Sequence, residues 1–238
     1  MLLLGREFFC RHDTGAYGGN LIMVAWERIR TVLLDMDGTL LDLRFDNYFW
    51  NEYLPDRWGA RHGLDPVTAR DALMPRFAGR AGTLDWYCID FWSRELDIDV
   101  MALKSDIEHM ICYLPDAEDF LRRLFVSGKH VIMVTDAHRK LLDMKIDRTS
   151  IDRYFHRIIS SHDFGVPKED PAFWEKLAEE LTFDPASTLL IDDNLSVLRM
   201  ARDHGIGHLL TISRPDSGVF ERDTGEFPAI TSFLHLLP

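Results

Sequence analysis

Four short apolar runs of the sequence are each followed by a polar side chain that could take part in chemistry. In chain order these side chains are Asp35 and Asp37, then Thr135, then Lys168, and finally Asp192 with Asp193. In an open parallel α/β sheet the carboxyl ends of the strands meet at one edge, and ligands bind there. We therefore expect these side chains to come together in a single site.

The acids of this set predict a metal ion. Asp35, Asp37, Asp192 and Asp193 would repel one another in a small site, and some would become protonated. A hard divalent cation such as Mg²⁺ removes that conflict, since it takes oxygen ligands and keeps positions open for water and phosphate. An isolated acid at a strand end more often caps a helix, so the prediction depends on all four acids together.

The neighbours of the acids are suited to an anion. Gly38 permits a sharp turn that brings backbone N–H groups close to a phosphate, and Thr39 follows it. Thr135 offers a hydroxyl, and the amides of Asp136 and Ala137 stand at the start of a predicted helix, whose N-terminus favours negative charge. Together with Lys168, these residues predict a binding site for a phosphoryl group.

The pattern of elements predicts a doubly wound α/β sheet, because apolar runs alternate with helical stretches. The predicted strands are residues 30–35, 130–135, 157–161, 187–192 and 208–212. The predicted helices are about 116–127, 137–149, 170–181 and 194–204.

A long segment separates the first two strands. A crossover needs only about a dozen residues, so we interpret residues 44–114 as an inserted helical domain, and 23–43 with 115–238 as the core domain. Residues 1–22 are Gly-rich and without periodicity, which favours a disordered extension; Met23 is an equally acceptable start.

Composition limits the partners. The net charge of −12 over 238 residues argues against binding nucleic acid or anionic membranes, and no apolar run approaches the roughly 20 residues of a membrane span. Three scattered cysteines predict neither a disulfide framework nor a zinc-binding spacing, and favour a reducing, cytoplasmic location. The sequence is silent on the oligomeric state.

The stretch Asp35-Met36-Asp37-Gly38-Thr39 resembles the D-x-D-G-T motif of the haloacid dehalogenase superfamily, and the later family motifs follow in order. The resemblance implies a Rossmann-like core with a helical cap. It implies that Asp35 is a nucleophile that forms an aspartyl-phosphate, and that Asp37 is the general acid and base. Thr135 and Lys168 would bind the phosphoryl oxygens. Mg²⁺ would be held by Asp35, the Asp37 carbonyl and Asp193, with Asp192 as a direct or water-mediated ligand.

The same resemblance bears on the reaction and the substrate. Dehalogenases of this superfamily lack an acid at the position of Asp37, which favours phosphate-ester hydrolysis here. Residues 40–50, 83–88, 164–170 and 214–218 are similar to bacterial GMP/IMP nucleotidases of the superfamily, which implies a purine nucleoside 5′-monophosphate as the small phosphorylated substrate. Asp136 departs from these relatives, where Asn is common.

Substrate contacts outside the motifs are expected from the insert. Asp46 and Asn47 lie near its first connection, and one or two of its aromatic rings would stack on a base. The aromatic candidates are Phe45, Tyr48, Phe49, Trp50, Trp86, Tyr87, Phe91 and Trp92. A phosphatase or mutase for another metabolite, such as a sugar phosphate or phosphoglycolate, is an alternative, and a non-catalytic binding protein is a third.

Overall fold

A computed structural model of the chain describes residues 24–236 and residue 238. The expected disordered extension over residues 1–22 and the alternative start at Met23 lie outside the described residues. Among the helices of the described part, none combines the length and the apolar character that crossing a membrane requires.

The described core contains a parallel sheet of six strands in the order β3-β2-β1-β4-β5-β6. The strands are β1 Thr31–Leu34, β2 His130–Thr135, β3 Arg157–Ser160, β4 Thr188–Ile191, β5 His208–Ile212 and β6 Ala229–Ile230. The five strands expected from apolar runs are confirmed. The sixth was not expected, because two residues are too short to form a recognisable run.

Six helices lie in the segment that follows β1, between residues 44 and 106. They are α1 Arg44–Tyr48, α2 Leu54–His62, α3 Pro66–Ala78, α4 Leu84–Tyr87, α5 Ile89–Leu96 and α6 Val100–Asp106. A π-helical stretch, Phe49–Tyr53, joins α1 to α2, and a 3₁₀ turn covers Glu108–Met110. The expectation of a helical insert is confirmed, and we call these elements the helical insert.

Five helices belong to the remainder of the chain. They are α7 Ala117–Val126, α8 Arg139–Thr149, α9 Ser161–Phe164, α10 Pro171–Glu180 and α11 Leu195–Asp203. Further 3₁₀ turns cover Trp26–Arg28, Ile151–Tyr154, Pro185–Ser187 and Phe233–His235. The four longer helices lie within two residues of their expected positions. The short helix α9 was not expected.

Successive side chains of each strand point to opposite faces of the sheet, which gives one apolar layer on each face. Leu34 and Met133 pack with α7 and α8 in a cluster that continues into the helical insert. Leu33 and Ile132 point to the other face, where they pack with α10 and α11. Because both faces of a doubly wound sheet are covered, its strands are apolar throughout, which leaves the strand ends as the place for polar groups.

Cys88, in the helical insert between α4 and α5, has a free thiol.

Candidate active site

The carboxyl ends of β2, β1 and β4 lie side by side, since β1 is the middle strand of the three. Pairing continues one residue beyond β1, where the Asp35 amide donates to the Ile191 carbonyl at 3.0 Å. A cavity of about 360 Å³ opens at this edge. It is lined by all six side chains expected there, namely Asp35, Asp37, Thr135, Lys168, Asp192 and Asp193.

Lys168 is a buried ammonium group at the floor of the cavity. Its Nζ lies 2.7 Å from Asp35 Oδ1, 2.6 Å from Asp192 Oδ2 and 3.2 Å from the Val134 carbonyl oxygen. Burial disfavours the charged amine, but the carboxylates of Asp192 and Asp35 raise the pKa of Lys168 well above its ordinary value. An ammonium group has three N–H donors, so these acceptors occupy all of them.

Three carboxylates form a group that suits a divalent cation. Asp35, Asp192 and Asp193 each offer an oxygen atom, and the three atoms lie within 4.8 Å of one another. Burial raises the pKa of Asp35 to about 6 despite Lys168. Burial and the charges of Asp35 and Asp192 raise the pKa of Asp193 well above its usual range. Asp35 and Asp192 share the single ammonium group of Lys168, and the carboxylate oxygens of all three acids fit the ligand preference of Mg²⁺.

The turn after β1 holds these acids in place. Gly38 has φ = +75°, a conformation that favours glycine, and a Cβ atom there would lie 2.8 Å from Asp193 Cγ. The Thr39 hydroxyl donates to Asp35 Oδ2 at 3.3 Å and accepts from the Asp193 amide at 3.1 Å. The contacts of Gly38 and Thr39 are thus with the acids, and direct binding of substrate by these two residues stays a prediction.

Asp37 belongs to a different network, which connects the sheet to the helical insert. Its Oδ1 accepts from Lys145 Nζ at 2.6 Å, and the same ammonium donates to Asp46 Oδ2 at 2.7 Å. Lys104, in α6, donates to Asp46 Oδ1 at 2.7 Å. Burial raises the pKa of Asp37 to about 6 although Lys145 opposes the shift. Asp46 therefore pairs with two lysines, and its expected contact with substrate stays a prediction.

Residues 135–137 form the wall beside β2. The Thr135 Oγ1 accepts from the Ala137 amide at 3.1 Å, and its hydroxyl proton remains available to a ligand. Asp136 accepts from the Lys168 amide at 3.0 Å, and burial raises the pKa of Asp136 to about 6. Asp136 also lines the cavity, so the extra acid lies near the expected phosphate position.

The first connection of the helical insert bonds to residues of the C-terminal segment. The Asn47 amide group donates to Asp216 Oδ2 at 2.7 Å, and Asp42 Oδ1 accepts from the Ser217 amide at 3.0 Å. Asn47 also lines the cavity, and its contact with substrate stays a prediction.

Three aromatic rings of the insert line the cavity, namely Trp50, Trp86 and Tyr87. Trp50 and Trp86 are stacked on each other with ring centroids 6.0 Å apart. The Tyr87 hydroxyl donates to Glu169 Oε1 at 2.6 Å. Other candidate rings are buried in the insert, among them Phe45, Phe49 and Trp92.

Three cationic residues at or beside the cavity were not predicted. Lys104 and Lys145 are almost completely buried, and both belong to helices whose sequences show no motif. Lys104 lines the cavity, whereas Lys145 reaches it through its bond to Asp37. Arg222, in the irregular C-terminal segment, bonds to the Asp193 carbonyl oxygen and lies 3.5 Å from Asp193 Oδ2. Only their positions in the folded chain identify these side chains.

Comparison with known proteins agrees with this geometry. The family model of haloacid dehalogenase-like hydrolases matches residues 29–205. The GMP/IMP nucleotidase YrfG of Escherichia coli (strain K12) is 39% identical over 217 residues, which cover 91% of this chain and 98% of that protein. A glyceraldehyde 3-phosphate phosphatase of Pyrococcus abyssi is 27% identical and covers 70% of this chain and 74% of its own.

Among solved structures, a haloacid dehalogenase-type phosphatase from Thermococcus onnurineus has the same fold. It superimposes with a TM-score of 0.71 at 23% identity, covering 87% of this chain and 96% of that chain.

Proposed function

The chain belongs to the haloacid dehalogenase-like hydrolases and is a phosphatase of that family, and we propose that it hydrolyses purine nucleoside 5′-monophosphates such as GMP and IMP. The observation that carries the chemistry is the pairing of the Asp35 carboxylate with Lys168, beside a second acid, Asp37, with a raised pKa. The substrate class rests on the 39% identical nucleotidase and on the aromatic rings that line the cavity.

In the first step the Asp35 carboxylate attacks phosphorus and the bond to the leaving oxygen breaks. The electron pair goes to that oxygen, which takes the proton of the Asp37 carboxyl group. Lys168 favours the ionised form of Asp35, as the nucleophile requires. The raised pKa of Asp37, about 6, leaves part of this carboxyl protonated near neutral pH, as a general acid requires.

In the second step a water molecule gives a proton to the Asp37 carboxylate and its oxygen attacks phosphorus. The bond between phosphorus and Asp35 then breaks, which releases phosphate and restores both acids. Lys145 supports this step because its ammonium fixes the direction of the Asp37 carboxylate and favours the ionised form.

The carboxylates that lie together indicate how a metal ion would be held. Asp35, Asp193 and the Asp37 carbonyl would bind Mg²⁺, with Asp192 as a direct or water-mediated ligand, as the resemblance to the family implies. When bound, the ion supplies positive charge that offsets the phosphoryl oxygens. One neighbour in the fold, YfnB from Bacillus subtilis, is described as bound to magnesium.

Lys168 acts in this scheme mainly by positioning. Its three donors are already used by Asp35, Asp192 and Val134, so a bond to a phosphoryl oxygen requires one of them to be released. The Thr135 hydroxyl accepts from the Ala137 amide and donates to none of the described residues, so it is the better donor to that oxygen. Asp136 reaches the same wall with a pKa of about 6, and its protonated form would also donate.

We propose that residues 44–114 act as a cap domain over this site, with 23–43 and 115–238 as the core domain. The two connections pair with each other, since the Asp42 amide donates to the Cys112 carbonyl at 2.9 Å and the Leu114 amide to the Leu40 carbonyl at 2.8 Å. This pairing gives both connections a common position about which the insert can move.

Release of inorganic phosphate from a panel of phosphate esters tests the proposal. The panel contains GMP, IMP, AMP, CMP, a sugar phosphate, phosphoglycolate and glyceraldehyde 3-phosphate, each with Mg²⁺ and with EDTA. We expect the highest kcat/KM for GMP and IMP, and loss of turnover in EDTA. A higher kcat/KM for a substrate without a base would contradict the nucleotide assignment and favour the second candidate, a small-metabolite phosphatase.

The Asp35→Asn variant separates chemistry from binding. We expect it to lose turnover on every substrate while it still binds GMP in a thermal-shift assay. Normal turnover of this variant would reject Asp35 as the nucleophile, whatever the substrate.

A further inference from the structure

A cluster of thiol and imidazole groups lies outside the set of acids described above. Cys88 belongs to the helical insert, between α4 and α5, whereas His138 precedes α8 and His162 lies in α9. One ligand atom of each side chain lies within 4.8 Å of the other two. The rings of His138 and His162 are nearly perpendicular, with centroids 4.9 Å apart. Three elements far apart in sequence thus bring three nitrogen and sulfur ligands to one point.

The potential ligand atoms of this cluster are poorly satisfied by hydrogen bonds. His162 Nε2 is buried and forms no hydrogen bond of normal geometry within the part of the chain that the structure describes, although the backbone of Tyr87 and Asp136 lies near the imidazole. Among the described residues, the Cys88 sulfur accepts one hydrogen bond, from the Phe91 amide at 3.4 Å. Buried polar atoms normally have a partner, and one without a partner calls for an explanation. A metal ion would satisfy the nitrogen and the sulfur together.

The chemistry of the three ligands selects the kind of ion. Thiolate and imidazole favour zinc and related transition metals, whereas Mg²⁺ prefers oxygen ligands. Asp90, whose Oδ2 lies 3.7 Å from His138 Nε2, stands where a fourth ligand could come from. Ligand pairs around a tetrahedral zinc ion lie about 3.3 to 3.8 Å apart, given its bond lengths. Since the ligand atoms lie within 4.8 Å of one another, a contraction of at most about 1.5 Å would close the site.

We propose that Cys88, His138 and His162 bind a zinc-class transition-metal ion, which fastens the helical insert to the edge of the sheet. The three ligands come from both sides of the boundary between insert and sheet, and Tyr87, next to Cys88, already bonds across it to Glu169. His138 follows the wall residues 135–137 of the active site directly in sequence. A bound ion therefore restrains the insert close to the reaction centre and slows turnover by restricting movement of the insert.

Cobalt binding to the full chain tests the site directly. The protein is treated with EDTA, dialysed and titrated with Co²⁺ in excess Mg²⁺, which keeps the carboxylates occupied. We expect one Co²⁺ per chain, a thiolate-to-cobalt charge-transfer band in the near ultraviolet, and displacement by Zn²⁺. Absence of the band from the wild-type protein would overturn the proposal, as would an unchanged band in Cys88→Ser.

Matched variants distinguish this cluster from other histidines. We expect Cys88→Ser and His162→Gln to weaken Co²⁺ binding at least 100-fold, whereas His109→Gln, at an exposed histidine of the same chain, binds as wild type. Circular dichroism checks that each variant is folded. If Cys88→Ser does not fold, His138→Asn and His162→Gln decide the matter, because unchanged binding in both would refute the assignment.

Inhibition by zinc tests the fastening of the insert. We expect Zn²⁺ to lower phosphate release by the wild-type enzyme at least 10-fold in excess Mg²⁺, and to have at most a twofold effect on Cys88→Ser. If Co²⁺ binds but Zn²⁺ does not inhibit phosphate release, the metal site stands and its proposed effect on the insert is refuted.

Discussion

Replacement of Lys145 by methionine tests how the general acid and base is positioned. The Lys145 side chain is 1% exposed, and its ammonium lies 2.6 Å from Asp37 and 2.7 Å from Asp46. Methionine keeps much of the apolar stem but removes the charge. Asp46 keeps its bond to Lys104. Asp37, whose side chain is 22% exposed, is therefore the acid most affected by the loss of the ammonium group.

The expected stability loss follows from this geometry. Removing one partner of a buried ion pair typically costs about 3–5 kcal/mol. We expect the low end, about 3 kcal/mol, because Asp37 is partly hydrated and can take up a proton. For a chain of this size, about 1 kcal/mol corresponds to about 2–4 °C in Tm. The variant should therefore melt about 6–12 °C below the wild type.

The expected catalytic loss has a separate origin. Lys145 lowers the pKa of Asp37, so the pKa should rise above about 6 in Lys145→Met. Less Asp37 carboxylate is then available to activate water, and its direction is no longer fixed. General acid–base catalysis contributes about 10²–10⁴-fold. We therefore expect kcat to fall at least 100-fold at pH 7, and the acid limb of the pH–rate profile to move upward.

Scanning calorimetry and steady-state phosphate release measure the two effects. Lys140→Met is the matched control, since Lys140 is in the same helix but its pair with Asp90 is exposed and worth at most about 1 kcal/mol. A folded Lys145→Met enzyme that keeps its kcat within threefold, with an unmoved pH profile, would refute the positioning role.

Two further predictions concern the acids. Gly38→Ala adds a Cβ atom 2.8 Å from Asp193 Cγ, whereas Gly63 has a similar φ of +69° with no atom within 4 Å of a Cβ. Gly38→Ala and Gly63→Ala should each lose about 1–2 kcal/mol of stability, because alanine is strained in the left-handed conformation. Only Gly38→Ala should also weaken Mg²⁺ binding, at least 10-fold by calorimetric titration. Equal Mg²⁺ affinities of the two variants would contradict the contact between position 38 and Asp193. The pKa of Asp35 is raised to about 6 from an ordinary 3.8. Between about pH 4 and 6 the folded metal-free protein therefore binds more protons at this group than the unfolded chain does. The contribution of Asp35 to stability falls as the pH rises through that window. Because Mg²⁺ binds the ionised acids, we expect it to raise the Tm of the wild type more at pH 7.5 than at pH 5. In Asp193→Asn the rise should be small at both pH values. An equal rise at both pH values in the wild type would argue against proton release linked to Mg²⁺ binding.

The cluster of Cys88, His138 and His162 could not be predicted from the spacing of the cysteines. The three scattered cysteines predicted no metal site, because a linear pattern joins ligands that are near in sequence. Cys88 lies 50 residues from His138 and 74 from His162, and only folding brings their ligand atoms within 4.8 Å. Ligands that are so far apart in sequence can be recognised only from their positions in the folded chain.

The sequence alone determined five of the six strands of the described sheet, the four longer helices of its core and the acids at its edge. Apolar runs mark buried strands, and a parallel sheet brings their carboxyl ends together, so Asp35, Asp192 and Lys168 followed from local pattern and motif. The tertiary structure decided what Asp37 and Asp46 contact. Lys145 is 108 residues from Asp37, and its bond depends on how α8 packs against the sheet and the insert. Local patterns encode which elements form, whereas contacts between charged groups depend on the final placement of those elements.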